Sequence, residues 1–328
     1  MKTTLLFISA LCFCQITFAQ HVDYSVKQVA QEADLNLTRI TTDTDEVCMP
    51  IVDRDDETVN WYTNRILSVS PKGAEIGFLA TKDDKTNIYV KVLDGNSTSV
   101  QRTKRQAVID FSYSPDGQEI CFTEKNGRTN SIFITSATEG FLCRQITTGY
   151  EDYSPVFGAD NNQIYFTRME DRQASIWEHD AAHNYLYTCG SGMNPSTMNS
   201  LRLLVVRPGA NGNYEVWSMN IKTGEEKLII RDSSHSFSTP SLSPDGKWIL
   251  LVGSTKLSVS GNASLGDYYC NTDIYVCRTD GSQLTQLTYH AADDLSPAWS
   301  PDGKHIYFIS QRGSADAKAN VWKMDFNL

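Results

Sequence analysis

A four-residue turn recurs along this chain at a nearly fixed interval, and that interval constrains the fold more than any other feature. It reads Ser-Pro-Lys-Gly from Ser70, Ser-Pro-Asp-Gly from Ser114, Ser243 and Ser300, and a degraded Gly-Ala-Asp-Asn from Gly158. Ser70, Ser114 and Gly158 follow one another at 44 residues. The 85 residues from Gly158 to Ser243 hold two intervals, with the missing turn at Asn199-Ser200. The last interval, 57 residues, is longer than the others, and the excess falls between Ser254 and Thr272. Proline presets φ in such a turn, and glycine supplies the positive φ of a tight reversal.

Each turn sits inside the same run of strand-like segments. After it come Glu119–Phe122, Gln163–Phe166 or Trp248–Leu251. A third segment carries an aliphatic–aromatic pair: Ile88-Tyr89, Ile132-Phe133, Ile176-Trp177, Val216-Trp217, Ile274-Tyr275 and Val321-Trp322. A fourth is amphipathic and ends in threonine, as in Cys143–Thr147 and Leu284–Thr288. β-branched and aromatic residues at this density suit strands. Four short strands every 40–45 residues are the signature of a β-propeller blade. Six units predict an all-β, six-bladed propeller of four-stranded antiparallel blades. Before each turn large and small residues alternate, as in Pro297, Ala298 and Trp299, which predicts a strand with one bulky face. The last unit stops after its third strand. Leu37–Thr41 has the fourth-strand pattern, so this N-terminal strand is expected to complete the last blade and close the ring, hiding a free edge.

The Ser-Pro-Asp-Gly turn, with Phe-x-x-Ser before it and Ile-Tyr-Phe after it, resembles the TolB-like, WD-type propeller repeats of exported bacterial proteins. The resemblance covers 35–328. It implies a scaffold for protein–protein interaction in the periplasm or cell envelope. The separate α/β domain that accompanies the propeller in TolB is not expected among the residues before the first unit.

Residues 1–19 read as a signal peptide: Lys2, an apolar core from Leu5 to Phe18, and a cleavage site at Ala19. The apolar run is shorter than the ~20 residues a spanning helix needs. Cys12 and Cys14 follow Leu11 and Phe13, not the small residue that lipidation prefers. Residues 20–34 form a lead-in. A periplasmic or secreted protein follows, with no membrane span in its mature chain. Net charge is −10 with no Lys/Arg block, which argues against nucleic acid. Of the cysteines after the signal peptide, Cys48, Cys121, Cys143 and Cys189 are read as buried thiols or open pairing partners, and Cys270 with Cys277 as the first disulfide to test.

Catalytic motifs are wanting. Gly261–Gly266 lacks the spacing of a nucleophile elbow, and His179 and His183 lack the Glu of a zincin helix. No cofactor and no metal is implied. Asp43–Glu46 is read as a solvated turn. Short Ser-Pro-Asp-Gly turns occupy one face of the disc and every long connection the other, which makes that second face the binding face. It carries Trp61 and Tyr62 in one connection and Tyr268 and Tyr269 in another. Asp152, Asp294, Asp293, His235 and His290 stand near the starts of first strands, as a polar or cation-binding rim, or with the aspartates as caps of those strands. The expected partner is an envelope protein or peptide. The competing reading is a carbohydrate-binding or polysaccharide-processing propeller that stacks sugars on the four aromatics.

Overall fold

The computed structural model describes residues 22–50, 64–95, 97–257 and 268–328, and only the backbone of 255–257 and 268–271. Its strands pair in antiparallel groups of four. The first group runs Leu67–Val69, Glu75–Lys82, Lys85–Val92 and Val100–Gln101, and the second Val108–Tyr113, Glu119–Asn126, Thr129–Ser136 and Cys143–Gln145. The third is Glu151–Phe157, Gln163–Glu170, Gln173–Asp180 and Tyr185–Ser191, and the fourth Met193–Asn199, Arg202–Pro208, Tyr214–Asn220 and Glu226–Ile230. The fifth is His235–Leu242, Trp248–Leu257, Tyr268–Arg278 and Thr285–Gln286. The second and third groups join through one parallel register, Glu151 opposite Asn130. The sixth group takes Asp294–Trp299, His305–Ser310 and Asn320–Asp325 from the end of the chain and Thr38–Arg39 from its beginning. Thr38 pairs with Lys323 and Arg39 with Trp322.

The recurring turn is held by its own side chains. Ser114 donates its hydroxyl to Asp116 at 2.7 Å and accepts from the Glu119 amide at 2.9 Å, while Gly117 adopts φ 67°. Ser243 with Asp245 and Ser300 with Asp302 repeat the bond at 2.7 and 2.6 Å. The threonine that ends the fourth strand has an equally regular task. Thr41, Thr103, Thr147 and Thr288 accept from the amides of Val321, Ile88, Ile132 and Ile274 at 2.8–3.0 Å. Two residues earlier a long polar side chain donates to that threonine's carbonyl: Arg39, Gln101, Gln145 and Gln286, at 2.7–3.0 Å. Each buried bond of this kind contributes about 1 kcal/mol. The N-terminal strand is thus held by the same device as the others, which is why Leu37–Thr41 was readable as a displaced fourth strand.

The core lies between groups. The aliphatic member of each third-strand pair is 0% exposed. Packing is close enough that a Cβ on Gly77 of the first group would meet the Phe111 ring of the second at 3.0 Å. The alternation expected of the first strands is broken, however. Their pairing registers shift between Tyr153 and Val156, Met193 and Ser196, Ser238 and Ser241, and Leu295 and Ala298. At each bulge the residue before proline is left-handed: Ser154, Asn194, Thr239 and Ser296, φ 46–54°. A bulge turns a side chain out of the pleat's alternation. Here it turns small polar groups onto the neighbouring first strand. Ser296 accepts from the Ile66 and Leu67 amides at 2.8 and 3.2 Å, and Ser154 donates to Asn194 at 3.0 Å.

The pairing singled out as the first disulfide to test, Cys270 with Cys277, does not form. Both lie on the single strand Tyr268–Arg278, and Cys277 is a free thiol. Seven residues of strand span about 23 Å, far beyond the reach of a disulfide.

Candidate functional site

Asp152 and Asp294 occupy equivalent places, as the repeat predicts, but neither caps its strand by bonding local amides. Each is 0% exposed and faces an arginine, Arg168 on the adjacent second strand for Asp152 and Arg312 in the turn just after that strand for Asp294. Arg168 forks onto Asp152 at 2.7 and 2.8 Å. Its guanidinium lies 3.8 Å from the Tyr150 ring centroid and 4.5 Å from that of Trp177.

Around Asp294 the arrangement is denser. Arg312, 0% exposed, pairs with Asp294 and forks onto Glu32 at 2.8 and 3.1 Å. Glu32 belongs to the lead-in, in the short 3-10 helix Ala30–Leu35, and also accepts from the Tyr289 amide at 2.7 Å. Asp273, on the fifth group, is close by, bonded to Gln286 at 3.1 Å. Burial and the Asp294 charge push its carboxyl up to about 8. Burial likewise pushes Asp294 up to about 6, against the pull of Arg312. His290 is buried too, and burial together with Arg312 lowers its pKa. One arginine therefore serves three carboxyls, and protonation of Asp273 relieves the excess.

The other residues singled out in the sequence scatter. Asp293 reaches back to the fifth group instead, accepting from the amide and hydroxyl of Thr272 at 2.8 and 3.0 Å. His235 meets Asp232 at 2.9 Å and sits against the rings of Phe237 and Tyr275. Tyr268 and Tyr269 open the third strand of the fifth group, and Trp61 and Tyr62 lie outside the described residues. The solvated turn expected at Asp43–Glu46 is corrected at Asp45. That side chain is buried and accepts from Thr42, Ser99 and Lys91. Among the described residues no three His, Cys, Asp or Glu side chains converge as a metal would require.

Two features escaped the sequence. Residues 24–32 dock onto the face of the long connections: the Gly313 and Ser314 amides donate to the Val26 and Tyr24 carbonyls at 2.8 and 2.9 Å, above buried Glu32. On the opposite, turn-bearing face a cavity of about 310 Å³ is lined by all six first strands, with Arg65, Tyr113 and Trp299 in its wall. Neither leaves a local pattern, since the contributing residues are remote in the chain.

Residues 18–260 match the sequence profile of the TolB beta propeller domain. The chain belongs to that family. A Tol-Pal system protein TolB of Francisella tularensis subsp. mediasiatica is 29% identical over 114 residues, 35% of this chain and 23% of that protein. The match thus spans less than a quarter of the curated relatives' length. The TolB-like fold is equally clear in solved structures. A putative TolB from Agrobacterium tumefaciens superposes with a TM-score of 0.60 at 16% identity, over 81% of this chain and 93% of that one. An oligogalacturonate lyase from Vibrio parahaemolyticus reaches 0.60 at 12% identity, over 92% and 96%. Identities this low show the fold alone, and one fold here serves two differently named proteins.

Proposed function

We propose that this chain is an exported, non-enzymatic propeller that holds a protein partner of the cell envelope on the face of its long connections. The observation that carries this reading is the docked lead-in. An extended segment followed by a six-residue 3-10 helix is received there through backbone carbonyls and one buried carboxylate, much as a partner's peptide would be. Membership of the TolB propeller family supports it. On this reading residues 1–19 are removed, 20–34 are the lead-in, and 35–328 form one six-bladed ring closed by Thr38–Arg39. The Ser296 bonds that join the last first strand to the earliest one support closure.

The test is capture from an envelope extract by the immobilised mature protein, followed by the same experiment with Tyr268→Ala/Tyr269→Ala. A defined protein retained by the wild type and lost by the variant is the expected result. Binding of glycans with no protein retained would favour the carbohydrate reading instead. Turnover of a polyuronate, abolished by a chelator, would overturn the non-enzymatic one. Closure has its own check: removing residues 35–41 should lower the melting temperature, and unchanged melting would refute it.

A further inference from the structure

Between the second and third groups the surface dips into a groove of about 430 Å³. Arg128 stands on one wall, Asp171 and Arg172 on the other, with Tyr150, Glu151 and Met169 between them. The walls are tied together. The Asn130 amide donates to the Tyr150 carbonyl at 2.9 Å, and Glu151 pairs with Asn130 in the register that joins the two groups.

Tyr150 is 43% exposed, yet its ring is not free to move. The Arg168 guanidinium lies against it at 3.8 Å, with the Trp177 ring also beside that guanidinium at 4.5 Å, and buried Asp152 grips Arg168 through both oxygens. A buried ion pair thus backs an aromatic ring of a residue that lines the groove. Fixing a recognition group before binding lowers the entropy cost of using it. The rim around the ring holds two cations, Arg128 and Arg172, and two anions, Glu151 and Asp171.

Those features select a ligand class. A ring presented in a groove calls for a flat apolar surface to stack on it. A balanced rim of donors and acceptors calls for a neutral partner that both donates and accepts hydrogen bonds. An anion would need an excess of arginine, and a cation an excess of carboxylate. A pyranose has an apolar C–H face and a belt of hydroxyls that do both. We propose that this groove binds a neutral pyranose sugar, stacked on Tyr150 and hydrogen-bonded by the charged rim. Asp152 and Arg168 are positioning residues: they set the ring and do not touch the sugar.

Saturation-transfer NMR on the purified protein tests this, with methyl β-glucopyranoside, N-acetylglucosamine and cellobiose as neutral probes. Glucuronate and a short unrelated peptide form the comparison arms. The neutral probes should bind through their C–H protons. Tyr150→Ala should weaken them about tenfold, the scale of one lost aromatic contact. Tyr150→Phe, which keeps the ring, should retain them. Arg172→Ala, an exposed substitution that leaves the fold intact, should also weaken them, which keeps the test decisive if Tyr150→Ala fails to fold. The proposal is overturned if no neutral probe binds, if only glucuronate or the peptide binds, or if sugar binding survives both Tyr150→Ala and Arg172→Ala.

Discussion

The third and sixth groups place an aspartate at the same position, pair it with an arginine from two different places, and reach different electrostatic states. In the third, Asp152 and Arg168 balance one another, and the pair's outer surface is covered by aromatic rings. In the sixth, Arg312 meets Asp294, Glu32 from the lead-in, and the nearby Asp273 of the fifth group. The first arrangement is a rigid support. The second is an overloaded cation whose surroundings hold a proton in order to stay buried. The difference shows that the repeat fixes where the aspartate sits, while residues outside the repeated strands, Arg312 and Glu32, decide what shares its site. Burying a charge costs several kcal/mol unless it is paired, so an extra acid beside one arginine raises the cost of the site.

The strongest way to break this comparison is to remove each arginine. Arg312→Met leaves up to three carboxyls without their cation and should cost about 5 kcal/mol, whereas Arg168→Met strands only Asp152 and should cost about 3 kcal/mol. Urea unfolding of both variants at neutral pH measures the gap. Equal losses would mean that the extra acids do not depend on Arg312.

Next in size is a pH effect specific to the cluster around Arg312. Asp273 has its carboxyl raised from 3.8 to about 8, so folding takes up a proton between those values. Its contribution is complete below about pH 4 and is lost as pH rises through about 8. Asp294, raised to about 6, adds to the same slope between pH 4 and 6. His290, lowered by burial, acts oppositely: its contribution is present above its unfolded pKa and lost as pH falls. Comparing Asp273→Asn with wild type isolates the aspartate. The variant should be more stable by about 3 kcal/mol at pH 8, discounted from the full shift for relaxation of its neighbours, and nearly equal at pH 4. Parallel curves across that range would show that Asp273 is ionised in the fold.

How much of this was legible follows from how local each signal is. The Ser-Pro-Asp-Gly turn is complete within six residues, from Ser114 to Glu119, so its recurrence disclosed the four-stranded groups. The threonine ending Leu37–Thr41 likewise marked a fourth strand far from its partner. The equivalence of Asp152 and Asp294 was legible, but their partners were not. Arg168 lies 16 residues beyond Asp152 and Arg312 lies 18 beyond Asp294, across a hairpin whose register shifts at a bulge. A one-residue slip moves a side chain to the other face, so a period-two reading could not pair them. Glu32 was further out of reach, joined to Arg312 across 280 residues. The Tyr150 platform was missed because its support comes from Arg168, and its groove from the neighbouring group.

The smallest effect sharpens the comparison most. Glu32→Gln removes one of the three carboxyls that share Arg312 while keeping a carbonyl oxygen to accept from it. Two changes then oppose each other. The charge-assisted pair is weakened, and the Tyr289 amide loses its acceptor if the new amide nitrogen faces it. Against this, the cluster sheds a negative charge that raises Asp273 and Asp294. The net change should be about 1 kcal/mol or less at neutral pH. The step in stability attributed to Asp273 should also move to lower pH, since one of the charges holding it up is gone. The third group offers no such relief, because no second carboxylate pairs with Arg168 among the described residues. A loss for Glu32→Gln as large as that for Arg168→Met, with the Asp273 step unmoved, would mean that Glu32 serves only to anchor the lead-in and that the two groups are electrostatically alike.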